Sequence, residues 1–454
     1  MKRVMIIVLI LTLTILSSGF SQTASDDSVQ STPDIATPQP DIKESTQRYE
    51  PDNLYNYLKD IYSRNDDKLR DYLTEELWQF LNNFSQNKNA AEVTEMLAKI
   101  YLDDGDEAEA VAACLRGLFM HPDHPSHSEL LTLVRKIIPK WRIDDRTTEK
   151  LYLQINASFN ADSEASRFYN YISFLYHLNE DDLYEWTIRE SQHFLHRFTE
   201  FSGIDSVMTW IGDIYFRMGD EREAVASYSK LLFVVPDSPI IPSIQYKSAV
   251  LLSDELDEHR IALEKLSEIV AKYPDSRYAG DAYFEAGKIK EKHTKEYVGA
   301  IAEYRKLVEN YPTHENAINA LFSVAEIQED ELKDYHSAIE TYEEIITRFQ
   351  PDTRCIKALE EMADIYEDEL KEYYKSAESY ARIADIFPDD EKSPEMLIEA
   401  GSICEKKLDD YTKAIEYYQL VLDKFPEHSE VREAEKKIVK ATEKIRENTE
   451  TNEN

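Results

Sequence analysis

Three sets of residues in this chain have types and spacings that could do chemistry. HPDHPSH places His121, His124 and His127 within seven residues, and imidazoles at that density can hold zinc or copper. His193 and His196 stand three apart, which on a helix puts both on one face. Glu291, Glu329, Glu367 and Glu405 recur every 38 residues, and carboxylates in register form a stripe that attracts cations. The bland reading of each set is structural. Pro122 and Pro125 mark a turn between helices and no fourth ligand is evident. The His193/His196 pair reads first as surface, and the Glu rung as the solvated face of an acidic protein. Cys114, Cys355 and Cys404 are an odd number, which is no disulfide framework. By register Cys355 and Cys404 lie roughly 16 Å apart along neighbouring helices, too far for a bridge. Cys114 takes the core position of its helix and reads as buried filler. Phosphate loops, GxGxxG, HExxH and GxSxG are all missing from the sequence.

The elements that position these residues come from a repeat. Stepping by 38 aligns Tyr297, Tyr335, Tyr373 and Tyr411, then Ala300, Ala338, Ser376 and Ala414, then Tyr304, Tyr342, Tyr380 and Tyr418. Pro312, Pro388 and Pro426 close their units, and Pro351 closes one with a slip of one residue. A period between roughly 20 and 50 residues signals a solenoid. Inside each unit the apolar spacing is helical, so a unit reads as helix A (280–292 in one case) and helix B (297–311). The Pro after helix B stops it. Small residues at Gly287, Ala325, Ala363 and Gly401 let the two helices approach. Further back, GDEAEAVAACLRGLFMHP (105–122) overlays GDEREAVASYSKLLFVVP (219–236). Residues 428–446 form one more amphipathic helix, the polar-backed cap a solenoid needs.

This pattern resembles the tetratricopeptide repeat (TPR) family. The family's small residue in helix A, its small residue and aromatic in helix B and its terminal Pro fall here on Gly287, Ala300, Tyr304 and Pro312, with Tyr283 as the helix A aromatic. The family period is about 34 residues. One extra residue between Gly287 and Ala300, and three between Pro274 and Gly287, account for the difference and imply an extended A–B turn. The resemblance implies an all-α, right-handed superhelical solenoid of antiparallel helix pairs with a C-terminal capping helix. It also implies that helix A lines a concave groove. The groove positions are then Asp281, Phe284, Lys288 and Glu291; Asn319, Phe322, Glu326 and Glu329; Lys357, Glu360, Asp364 and Glu367; and Glu395, Ile398, Ser402 and Glu405.

Composition bounds the partner. The chain has 454 residues and a formal charge of −37, which disfavours nucleic acid and anionic lipid surfaces and favours a basic protein or peptide. Lys2 and Arg3 followed by the apolar run Val4–Leu16, with small residues before a cleavage point after Ser21, read as a signal peptide at 1–21. The first Cys is Cys114, so no lipidated Cys follows the leader. Residues 22–46 read as a disordered linker, 47–198 as degenerate helical repeats, 199–426 as the regular array, 427–446 as the cap and 447–454 as a disordered tail. The expected protein is soluble, periplasmic or extracellular, without cofactor and not an enzyme: a scaffold holding a basic partner in its groove, similar to bacterial envelope TPR proteins such as the Tol-Pal accessory protein. Two other readings stand beside it: a metal- or cation-binding envelope protein, and an envelope hydrolase with its site in 123–200.

Overall fold

The computed structural model describes residues 50–452 apart from 158 and 160. The expected leader and linker lie outside the described residues. The chain divides into residues 1–54 and 55–454. Of the first unit only Glu50 and the start of α1 (Pro51–Arg64) are described; the remaining helices all belong to the second. All regular structure among the described residues is helical, and no described helix is long and apolar enough to cross a membrane. The helices after α1 are α2 (Arg70–Asn83), α3 (Ala90–Asp104), α4 (Glu107–Met120), α5 (His127–Ile137), α6 (Asp145–Ile155), α7 (Glu164–Leu178) and α8 (Tyr184–Arg197). The regular pairs come after them: α9 (Ile204–Met218) with α10 (Glu221–Val234), α11 (Ile241–Asp254) with α12 (His259–Lys272), and α13 (Arg277–Lys288) with α14 (Tyr297–Asn310). Next are α15 (Ala317–Glu326) with α16 (Tyr335–Phe349), α17 (Arg354–Asp364) with α18 (Tyr373–Ile386), α19 (Ser393–Leu408) with α20 (Tyr411–Lys424), and finally α21 (Val431–Asn452). The last helix corrects the expected tail: residues 447–452 continue α21. Their Glu, Asn and Thr residues are compatible with a helix already nucleated by the buried Ala434 and Ala441.

Each unit is tied at three places. The first is the turn from helix B to the next helix A. The residue two after the closing Pro accepts the backbone N–H two positions on, whatever its chemistry. Ser276 Oγ takes it from Tyr278 at 3.3 Å, Asp390 Oδ1 from Lys392 at 3.0 Å and His314 Nδ1 from Asn316 at 3.2 Å. These groups replace an intrahelical partner that the first N–H groups of a helix lack.

The second place is the turn from A to B. After α13, α15 and α17 the chain widens into one π turn, at 289–293, 327–331 and 365–369. The N–H groups of Thr294, Leu332 and Leu370 reach back five residues to Ile289, Ile327 and Ile365. Lys295, Lys333 and Lys371 then take the left-handed conformation, with φ of 57°, 53° and 57°. In α9 the same turn is made by Gly219 at φ 78° without widening. The widened turn holds the extra residue counted in the sequence: 13 steps separate Gly287 from Ala300 and 12 separate Gly212 from Ala224. A lysine there costs about 1 kcal/mol relative to glycine.

The third place is the A–B interface. A Cβ added at Gly287 would lie 2.5 Å from the ring of Tyr304, and one at Gly401 would collide with the ring of Tyr418 in the same way. The ring therefore rests directly on the backbone of helix A. At Ala325 and Ala363 the facing Tyr342 and Tyr380 make room for a methyl, and Tyr380 is the less buried of the two.

The N-terminal third uses the same helix sequence differently. Helix α4 overlays α10 in sequence, yet every residue from Ala110 to Met120 is buried, whereas only Ala224, Tyr228 and Leu231 are buried in α10. Helices α3, α5 and α7 all pack on α4. Cys114 is fully buried, in the core place expected for it. The Arg116 guanidinium, itself buried, pairs with the fully buried Glu190 of α8 at 3.0 Å. It also lies 5.0 Å from the Trp78 ring centre. Desolvation raises the Glu190 pKa against the pull of Arg116 and Arg189. Removing one member leaves an uncompensated buried charge, so Arg116→Met is expected to cost about 3–5 kcal/mol in chemical denaturation. Arg116→Met with Glu190→Leu should recover most of that loss. A double variant as unstable as the single would mean that the stranded charge is not the source of the loss.

Candidate partner-binding face

The A helices α13, α15, α17 and α19 are joined side chain to side chain across neighbouring units. His314 Nε2 lies 3.4 Å from Asp281, Arg354 donates to Asn319 at 3.1 Å, and Lys357 reaches Glu326 at 3.1 Å. Lys392 reaches Glu360 at 2.8 Å and Lys407 reaches Glu367 at 3.0 Å. Lys440 of α21 reaches Glu405 at 2.9 Å, and Lys437 donates to Ser402 at 3.0 Å. Most of the expected groove residues thus already have partners within the chain. Lys288 pairs inside its own helix with the buried Glu285 at 2.8 Å. Phe322, Ile398 and Glu405 are each only 8% exposed. They form the wall between helices and do not project from it, which corrects their reading as free contact residues. Phe284 and Phe322 lean on the core tyrosines, with ring centres 5.6 Å from Tyr304 and 6.1 Å from Tyr342.

The uniform glutamate rung has a role inside the fold. Tyr304 donates to Glu291 at 2.7 Å, Tyr342 to Glu329 at 3.2 Å and Tyr418 to Glu405 at 3.0 Å. Tyr380 donates instead to Asp364, one turn earlier, at 2.6 Å, which leaves Glu367 to Lys407. In α9 the acceptor is Asp213, which takes both Tyr228 at 2.5 Å and Tyr176 at 2.7 Å. A buried phenol needs an acceptor, and a carboxylate at the helix A end of the pair supplies it. This explains acid where the helix dipole disfavours it. Tyr304, Tyr342, Tyr380 and Tyr418 are all held far above their ordinary pKa by burial and by these or neighbouring carboxylates.

Charge is unevenly settled along the face. Burial would raise Glu405, but the Lys440 ammonium and the Tyr418 hydroxyl overcome it and hold the group below the usual carboxylate range. Glu329 is the opposite case. It is half-buried, no cation among the described residues lies within ion-pair distance, and desolvation with the nearby Glu361 pushes it up to about 7. Burial also raises Glu361, against the pull of Lys357, and Asp364, against the Tyr380 hydroxyl.

The histidines resolve as turn chemistry. His124 Nδ1 accepts the N–H of Ser126 at 3.1 Å, and its Nε2 meets the Lys88 carbonyl at 2.8 Å, so both ring nitrogens are used. It stands at the turn position that Ser276, Asp390 and His314 hold in other units. Burial lowers His121 to about 4 and also lowers His127, which packs edge-on against Phe159 at 5.8 Å. His193 faces Phe168 in the core at 5.5 Å while His196 is exposed, so the pair does not share a site. The three cysteines are buried and unbridged.

Sequence models of the tetratricopeptide repeat match residues 206–232 and 402–428. These segments are tetratricopeptide repeats. Between them the model of the soluble NSF attachment protein, SNAP, matches residues 249–387, the stretch that holds the π-widened repeats. No curated protein matches the chain. Among solved structures, a tetratricopeptide repeat protein from Parabacteroides merdae is 15% identical, covering 61% of this chain and 100% of its own, at a TM-score of 0.34. The C-terminal part of a TPR protein from Cytophaga hutchinsonii is 14% identical, covering 59% and 98%, at 0.38. MamA from Desulfovibrio magneticus is 16% identical, covering 43% and 99%, at 0.33.

The turn acceptors are not singled out by sequence reasoning, although Ser, Asp and His two after Pro are there to be counted. The raised Glu329 has a pH consequence. Its proton is held more tightly in the fold than in the unfolded chain, so its contribution favours the fold below the ordinary glutamate range and is lost as pH rises through about 7. Glu329→Gln should flatten the fall in melting temperature between about pH 5 and 8. Identical slopes in the two proteins would refute the assignment.

Proposed function

We propose that this protein is an exported, non-catalytic scaffold that holds a basic protein or peptide partner along the α13–α19 face and helps to organise a cell-envelope complex. The observation that carries the reading is the cluster of Glu329, Glu361 and Asp364, all raised by burial and by neighbouring carboxylates, with Lys357 at 3.9 Å from Glu361 the one lysine or arginine in ion-pair range among the described residues. Their neighbours on the face are largely neutralised by lysines of the next unit, while Glu329 has only the Tyr342 hydroxyl. An ammonium or guanidinium from a partner relieves the mutual repulsion of these groups and pairs with all three, a charge-assisted interaction in a partly dry site. Tetratricopeptide arrays are interaction scaffolds by family, which agrees with this use of the face. Export is supported by Lys2, Arg3, the Val4–Leu16 run and the small residues up to Ser21.

The test is a pull-down from host envelope extract with residues 22–454 as bait, beside a bait carrying Glu329→Gln, Glu361→Gln and Asp364→Asn. Glu291 and Glu405 are left intact, and the amides at 329 and 364 keep an acceptor oxygen for Tyr342 and Tyr380. A partner retained at low salt, released at high salt and lost by the substituted bait is the expected result. Affinity measured with that partner should strengthen as pH rises from about 6 to 8, because the bound cation meets an ionised Glu329. The same partners on both baits, insensitive to salt, would place binding elsewhere.

A further inference from the structure

The cleft between α8 and α10, floored by α9, has a volume of about 410 Å3. That lies within the range of small-molecule sites. Its apolar lining is Leu195 of α8, Ile204, Met208 and Ile211 of α9, and Val234 of α10, set among Gln192, Thr199, Tyr215 and Ser227. The chain carries 89 Asp and Glu against 52 Lys and Arg, yet among the described lining residues none is a carboxylate, and Lys230 and His196 are the two that can carry positive charge.

Comparison within the chain shows what is unusual. The equivalent cleft, between α12 and α14 over α13, is smaller at about 260 Å3. Glu303 crosses it to pair with Lys290 at 2.6 Å and with Lys306 at 3.1 Å. Two repeat lengths earlier, 76 residues back, Lys306 becomes Lys230 and Glu303 becomes Ser227. Counted from the small residue of helix A, Tyr215 stands where Lys290 does. Both units carry the lysine, but only the later one pairs it with a carboxylate; Lys265, Thr341 and Ser379 hold the Glu303 position in other units. Lys230 has no ion pair among the described residues.

We propose that this cleft binds a long-chain fatty acid, with the acyl chain along Leu195, Met208, Ile211 and Val234 and the carboxylate on Lys230. The ligand carboxylate restores the charge that Glu303 supplies in the later repeat. Burying an acyl chain on these walls follows the area rule for apolar surface. The site lies on helices separate from the acidic face and stands or falls independently of it.

The experiment titrates the full chain with palmitate below its aggregation concentration, with hexadecanol and lysophosphatidylglycerol as parallel arms. Saturable binding of one palmitate per chain is expected. It should weaken about tenfold in Lys230→Gln and in Ser227→Glu, the latter being the residue that the α14 unit has at this position. Lys306→Gln should bind as the natural chain does, and hexadecanol should bind less tightly and ignore both substitutions. Helical content and melting temperature confirm that the variants fold. Three results would each overturn the proposal: no saturable binding, equal affinity for palmitate and hexadecanol, or palmitate affinity unchanged in both cleft variants. Tighter binding of lysophosphatidylglycerol than of palmitate would overturn it in favour of a phosphate-headed lipid.

Discussion

A buried phenol sets the terms for the whole array. Tyr304, Tyr342 and Tyr418 are fully buried, wedged between the helices of one unit, and each hydroxyl must find an acceptor in a place water does not reach. The acceptor is a carboxylate 13 residues earlier, near the end of helix A. That requirement goes with the glycine or alanine under the ring and with the acidic character of one face.

How much of this was legible depends on whether residue type and role correspond one to one. Tyr, Gly or Ala, and Pro each do a job few other residues can do, so their 38-residue register stood out and defined the helix pairs with their ends. The turn acceptor is different. Ser276, Asp390 and His314 share only a lone pair at the right distance from the backbone, and a reader looking for one residue type sees a scattered set. That is why His124 invited a metal reading. The glutamate rung was visible as spacing, but its partner lies across an antiparallel turn, and spacing alone does not say which side chain folds back to meet it. Residues 123–200 were unreadable for a third reason. Helices α5 to α8 keep the repeat register only in part, so spacing could not say that α5 and α7 pack on the neighbouring α4.

The net charge of −37 overstates how acidic the face is. Most carboxylates there are answered by a lysine or histidine from the next unit, which is the arrangement that lets like-charged repeats stack at all. A carboxylate is left without a lysine or arginine at Glu329, and a lysine without the carboxylate that Glu303 offers Lys306 stands at Lys230. Departures from the repeat carry more functional information here than the repeat itself, since the repeated positions are already explained by packing.

The links within a unit and the links between units differ in kind. Inside a unit, a phenol donates to a carboxylate that remains an acceptor whether or not it is protonated. Between units, beside apolar packing, the cross-ties are ion pairs: Lys357 with Glu326, Lys407 with Glu367, and Arg382 with Glu343 through two contacts of 2.8 Å. Such pairs weaken with salt. The units from α14 to α18 therefore share one continuous apolar core with ionic cross-ties over it, and the cross-ties loosen as ionic strength rises while the core and the phenol–carboxylate bonds persist.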